Sequence, residues 1–372
     1  MDRRRCALAF IVATTWTAPL PAQPKTRISP SQSTGDTVYG RRGKDRVPLT
    51  LDPELQRRVT GLLRRSRAPE GAIVMADPRS GRILAWASQG PVDLVRTPQY
   101  PAASVAKLVT AAAALEEEVA FRSTPFCFSG GTRRLRAADV AHMCRPGEPR
   151  MPFGQALGRS INVIFGRLGA HRLDARALRD RARRLGFDGT VPLDVAAPAN
   201  RIAYPDERLG RARAAAGFHR GAVSPLGLLY AMTAVAQSGR PRPLRVLAAT
   251  APGAPRKALD LAAAHALQRM LRVTTTRGTS RKAFADREGR PNTPAAGKTG
   301  TLGWPRPRRL LSWFGGYAPT DAPEVAIAVL LANRPRWWRK ANEVARDALD
   351  AYFTLPRRAR RGPSKKRRRS ER

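Results

Sequence analysis

The sequence is short of acid. Its 372 residues hold 28 Asp and Glu against 68 Lys and Arg, a formal net charge of +40. Such an imbalance excludes no fold. It reflects either a base composition that favours Arg and Ala codons or an attraction to an anionic membrane or polyanion. Wholesale disorder is excluded, because 42% of the residues are hydrophobic, enough to build one large core or two domains. Cysteine is scarce as well: Cys6, Cys127 and Cys144 are the whole set. A zinc site on Cys127, Cys144 and His142 lacks a convincing fourth ligand, so no metal is expected. A disulfide between Cys127 and Cys144 would close a loop of about 17 residues, worth on the order of 3 kcal/mol. Free buried thiols are the alternative. No internal repeat is present, and long apolar runs are missing.

The one apolar stretch near a terminus follows three arginines, in MDRRRCALAFIVATTWTAPLPAQP. It is shorter than the roughly 20 residues a spanning helix needs. Charged, apolar and small-residue segments in that order predict an export signal over 1–22, with an uncleaved anchor as the alternative. Residues 23–47, rich in Ser, Thr, Gly, Pro and Arg, read as a linker. The folded part is expected over 48–355. Residues 356–372 carry ten basic residues and Glu371, and are expected to be a disordered tail that associates with an anionic envelope surface. Export makes nucleic acid an unexpected partner, and places the protein in the periplasm or on the outer face of the cytoplasmic membrane.

Within the folded part, LTLDPELQRRVTGLLRRS predicts a short strand and then a helix capped by Asp52, with Pro53 in its first turn. GAIVMADPRSGRILAWAS predicts a hairpin. LLSWFGGYAP and VAIAVLLAN predict a second pair of strands, and RWWRKANEVARDALDAYFTL a closing helix. Between the two pairs lies a mostly helical block, about 104 to 272. Strands at both ends with helices between predict one antiparallel sheet, assembled from both ends of the domain and covered by helices.

Three short motifs carry chemistry. In PAASVAKLVTAAAALEE, Ser104 and Lys107 are one helical turn apart. Alone, Ser104 reads as the cap of an alanine-rich helix. As a nucleophile it would sit where a helix N-terminus favours developing negative charge, beside a lysine that desolvation would make basic. In GRSINVIFGRLG, Ser160 could cap the next helix or relay a proton, and Asn162 could hold a substrate. In PAAGKTGTLGW, Lys298, Thr299, Gly300 and Thr301 read as a glycine-bounded strand edge, able to pair with an extended peptide and bind its carboxylate.

Ser-x-x-Lys, Ser-x-Asn and Lys-Thr-Gly, in that order, resemble the signature of the penicillin-recognising serine acyltransferases and β-lactamases. From about Pro48 to Leu355 the chain resembles the transpeptidase domain of penicillin-binding proteins, with VSPLGLLYAMTAVAQSG and RGTSRKAF adding to the likeness. The resemblance implies a mixed α/β (α+β) fold: a five-stranded antiparallel sheet flanked by helices, plus an all-helical part. It also implies roles. Ser104 would be the acylated nucleophile and Lys107 its base, with Ser160 shuttling a proton to the leaving amine and Lys298 supporting that relay electrostatically. Asn162 would position the acyl chain, Thr299 and Thr301 would bind the substrate carboxylate, and the backbone N–H groups of Ser104 and Thr301 would form the oxyanion hole.

The implied reaction is D,D-transpeptidation of D-Ala–D-Ala stem peptides of peptidoglycan, without a cofactor. Implied ligands are those stem peptides and β-lactams, and a separate glycosyltransferase is an expected partner. The chain departs from the pattern in Ala-Ala before the nucleophile, and in Leu-Gly-Trp after the third motif with a Pro- and Arg-rich stretch at 305–309. A β-lactamase of class A would need a Glu-x-x-Leu-Asn loop, and none is found. D,D-carboxypeptidase or β-lactamase activity and a non-catalytic cell-wall-binding role with the same fold are the alternatives.

Overall fold

The computed structural model describes residues 31–356 apart from 35–36, 43, 131–133, 219, 287, 289–292 and 336. The export signal and the basic tail lie outside the described residues. In chain order come strands β1 (Ser31–Thr34), β2 (Thr37–Arg42) and β3 (Asp45–Pro48), helix α1 (Pro53–Arg65), and the hairpin β4 (Glu70–Ala76) and β5 (Ile83–Gln89). The helical block holds α2 (Lys107–Glu116), α3 (Phe153–Arg159), α4 (Asn162–His171), α5 (Ala175–Arg184), α6 (Arg208–Ala215), α7 (Pro225–Ala236) and α8 (Leu261–Thr276). It also contains two small ladders, β6 (Pro125–Cys127) with β7 (Arg150–Pro152), and β8 (Arg201–Ile202) with β9 (Gly221–Ala222). Strands β10 (Ala296–Trp304), β11 (Arg309–Ala318) and β12 (Val325–Asn333) and helix α9 (Ala341–Phe353) complete the domain.

The main sheet has the order β10-β11-β12-β4-β5, antiparallel throughout. This is the five-stranded antiparallel sheet that the resemblance implies. Strand β12 sits at its centre and is buried along its whole length. Because side chains alternate between faces along a strand, Ala326, Ala328, Leu330 and Ala332 join the core shared with the helical block. Val325, Ile327, Val329 and Leu331 join a second core against α1 and α9. A strand apolar on both faces must be sandwiched, and here it is. Helix α7, Pro225–Ala236, is likewise buried all round, as expected of a helix between a sheet and other helices.

Local chemistry sets the ends of these elements. Asp52 caps α1, its Oδ1 accepting from the Leu55 N–H at 2.7 Å. In the β4–β5 turn, Asp77 accepts from the Arg79 N–H and the Ser80 hydroxyl. Gly81, at φ +70°, lets the Pro243 carbonyl approach where a Cβ would lie 2.1 Å away.

Two expectations need correction. The strand expected before Asp52 is reduced to a single bridge, Leu49 to Leu247. In addition, strands β1, β2 and β3, which lie almost wholly in the stretch that composition marks as linker, pair into one antiparallel sheet. That segment is anchored because Val38 is buried and its carbonyl accepts from the Leu49 N–H, while the Arg46 guanidinium covers the Tyr39 ring. A polar composition conceals one well-placed apolar contact.

The structure joins Cys127 to Cys144, with Cα atoms 5.2 Å apart. Arg167 on α4 clamps this loop. Its guanidinium donates to both Glu148 oxygens at 2.6 and 2.7 Å, and to the carbonyls of Cys127 and Asp139.

Candidate active site

The three motifs meet where β10, an edge strand, passes the short 3-10 turn Ala103–Ala106 that leads into α2. The junction of α3 and α4 supplies the third side. Gly300 makes the approach of β10 to the turn possible, since a Cβ there would lie 3.1 Å from the Ala102 carbonyl oxygen. The Trp313 indole N–H fixes the turn from β11 by donating to the Pro101 carbonyl at 3.0 Å.

Ser104 is not the helix cap expected from sequence. Ala102 and Ala106 occupy the cap positions of the turn and of α2, and neither makes a side-chain cap hydrogen bond. Ser104 is the second residue of the turn, and its Oγ lies 2.7 Å from Lys107 Nζ. The turn is entered through Ala103 at φ +50°, a left-handed conformation that costs a non-glycine residue about 1 kcal/mol. Gly217, at φ +96°, lies against the Ala103 carbonyl, where a Cβ would come within 2.5 Å.

Ser160 is strained in the same way. It ends α3 at φ +60° and ψ +39°, a position where helices favour glycine or asparagine. It does not cap α4, because Ile161 holds that place. The left-handed turn instead aims the hydroxyl inward, 2.9 Å from Lys298 Nζ and 3.4 Å from Lys107 Nζ. Asn162 begins α4, and its Oδ1 accepts from Lys107 Nζ at 2.7 Å. Along β10, the period of two puts Lys298 and Gly300 on the buried face and turns Thr299 and Thr301 outward. Lys298 Nζ also donates to the Thr299 carbonyl at 2.9 Å.

Ser104, Lys107, Ser160 and Lys298 thus form one continuous hydrogen-bonded chain. Both lysines are fully buried. Among the described residues no carboxylate hydrogen-bonds or ion-pairs with either one. Burial, and next to it the charge of Lys298, lower the Lys107 pKa well below the ordinary 10.5. Burial alone brings Lys298 down to about 7. An amine next to a hydroxyl, wholly removed from water and uncompensated by an anion, favours its neutral form and can accept that hydroxyl's proton.

The chain opens on a cleft of about 720 Å³, bordered by Ser104, Asn162, Thr299 and Thr301. Two contributors were not singled out from sequence. Thr279, just after α8, places its Oγ1 2.6 Å from that of Thr299, and Gly217 supports the backbone of the turn. Both lie in loops where Gly and Thr are common for ordinary reasons. RGTSRKAF offers a signal for Thr279 only as part of a longer likeness.

An antiparallel five-stranded sheet with a serine–lysine centre at its edge strand defines a class, the penicillin-recognising serine acyltransferases. Within it, the chain belongs to the penicillin-binding protein transpeptidase domain family, whose model matches residues 71–350. Membership makes the protein a serine-type transpeptidase. A peptidoglycan D,D-transpeptidase PbpA from Mycobacterium tuberculosis is 26% identical over 353 residues, covering 80% of this chain and 71% of the relative. Among solved structures, the D,D-transpeptidase domain of a peptidoglycan glycosyltransferase from Eggerthella lenta superposes with a TM-score of 0.69 at 23% identity, covering 82% of each chain. Penicillin-binding protein A from M. tuberculosis, as an imipenem acyl-enzyme complex, gives 0.66 at 21% identity, covering 82% of this chain and 79% of the other. At those identities the superpositions speak for the fold.

Proposed function

We propose that this protein cross-links peptidoglycan as a D,D-transpeptidase, through an acyl-enzyme on Ser104. The observation that carries the reading is the buried Lys107 amine, 2.7 Å from Ser104 Oγ with its pKa driven down by burial. In the first step neutral Lys107 takes the Ser104 proton, and Oγ bonds to the carbonyl carbon of the penultimate D-alanine of a stem peptide. The carbonyl oxygen becomes an oxyanion, met by the backbone N–H groups of Ser104 and Thr301. Such donors are worth a few kcal/mol in the transition state.

Collapse of this intermediate breaks the C–N bond. The proton reaches the departing D-alanine amine through Ser160, and Lys298 stabilises that relay. Positioned acid–base groups of this kind contribute about 10²–10⁴-fold in rate. An amine of a neighbouring stem then attacks the ester, forms the amide cross-link and returns the proton to Ser104. Asn162 orients the acyl chain, and Thr299 and Thr301, with Thr279 behind Thr299, receive the terminal carboxylate. β-Lactams present a strained amide to the same serine and remain as the ester.

The substrate places the reaction outside the cytoplasm, with residues 1–22 directing export. No helix among the described residues is long and apolar enough to cross a membrane. Incubation with a fluorescent penicillin tests the reading. A covalent adduct stable on gels is expected for the wild type and none for Ser104→Ala. An unlabelled wild type would reject the acyl-enzyme, and rapid loss of label would assign a β-lactamase.

A further inference from the structure

The antiparallel order brings three loops side by side at one end of the main sheet. Trp304 pairs with Arg309, Leu310 with Asn333, and Ala332 with Glu70. The turn 305–308, residues 334–335 and 337–340, and the end of α1 with residues 66–69 therefore adjoin in a row, and an Arg309–Glu70 ion pair joins the residues that border the first and the last. These segments contain no acidic residue. Arg64, Arg65, Arg67, Arg306, Arg308 and Arg334 are all exposed there. In their midst Trp338 is 60% exposed, and the Arg67 guanidinium lies 4.1 Å from its ring centroid.

Trp338 and these six arginines do not border the acyl-transfer cleft. Its chemistry suits a polymer that is both anionic and flat-faced. One exposed indole offers little apolar area to insert among acyl chains, so a lipid surface is a poor match. The aromatic face suits the C–H face of a sugar ring, and the surrounding guanidiniums suit carboxylates or phosphates. The chain also turns away from this end. Residues 50–52 pack at the start of β5, with Thr50 Oγ1 donating to the Ile83 carbonyl and the Asp52 N–H to the Leu84 carbonyl. Helix α9 runs from the Ser312 hydroxyl toward α1, where Thr354 meets Arg58.

We propose that this end of the sheet binds an acidic polysaccharide, with Trp338 stacking on a sugar ring and the arginines pairing with its acid groups. Affinity electrophoresis of the full chain in gels containing polygalacturonate tests this, with neutral dextran, poly-L-glutamate and phosphatidylglycerol vesicles as the other arms. Retardation by polygalacturonate is expected, falling with salt because counterions are released on binding. Trp338→Ala, and separately Arg306→Ser/Arg308→Ser, should weaken it by roughly tenfold with the unfolding temperature unchanged. Arg172→Ser/Arg176→Ser, an equal loss of charge elsewhere on the exposed surface, should change it less than about twofold. Poly-L-glutamate should bind more weakly and be indifferent to Trp338→Ala. Equal losses in the control variant, poly-L-glutamate binding as tight as polygalacturonate, or binding to the vesicles alone would overturn the proposal.

Discussion

Lys107 and Arg167 are both buried cations held in the helical half of the molecule, and their surroundings are opposites. Arg167 is clamped by both oxygens of Glu148 and by backbone carbonyls. The guanidinium in turn holds the Glu148 carboxyl down to about 2. Both partners keep their charge, and the pair ties the disulfide loop to α4. Lys107 has two hydroxyls, an amide oxygen and the Phe165 ring around it, with a second cation nearby. A charge placed there is destabilised, and that instability suits the amine to the role of base proposed above. Full pairing keeps a buried cation charged, and missing pairing inclines it to the neutral form.

The contrast can be broken by substitution. Lys107→Met should leave a folded protein, since it removes an uncompensated buried amine, yet lower the penicillin acylation rate by about 10²–10⁴-fold. Arg167→Ala should do the reverse. Leaving the half-buried Glu148 and the Cys127 and Asp139 carbonyls without their donor should cost about 1–3 kcal/mol in denaturant unfolding, while the acylation rate per folded molecule stays near that of the wild type. Cys144→Ser, which opens the same loop, should cost about 3 kcal/mol, again with acylation retained.

Acid and base should separate the two regions in stability as well. Glu148 falls from an ordinary 4.5 to about 2 on folding, so its contribution is present above pH 4.5 and is lost as pH drops from there through 2. Lys298 falls from 10.5 to about 7. Between those values the unfolded chain binds the extra proton, so stability declines as pH falls from 10.5 to 7 and then levels off. Lys298→Met should therefore be more stable than the wild type, most of all below pH 7, with the advantage gone near pH 10.5. Unfolding midpoints measured across pH would show it.

Much of this arrangement is legible in the sequence, and the limits have physical causes. The apolar runs of β4, β5, β11 and β12 announce themselves, because strands buried on both faces admit little else. The residues at 104, 107, 160, 162 and 298–301 stand out as three short motifs, and the fold brings them within hydrogen-bond reach. What the motifs do not reveal is conformation. Serine is common at helix caps, so capping is the natural reading for Ser104 and Ser160. Only the left-handed turns at Ala103 and Ser160 point their hydroxyls at the lysines instead. The Arg167–Glu148 clamp is hidden too, because Glu148 is one of few acids and lies in a polar loop. The small sheet β1-β2-β3 rests on backbone pairing that composition does not register.

The central claim is that Ser104 is activated by a neutral amine. The pH dependence of the second-order rate of penicillin acylation tests it most directly. The account predicts a rate that rises through a single ionisation well below pH 10.5 and reaches a plateau, with Lys107→Met losing that rise. A rate that climbs steadily to pH 10.5 and beyond, or a rise that survives in Lys107→Met, would contradict it.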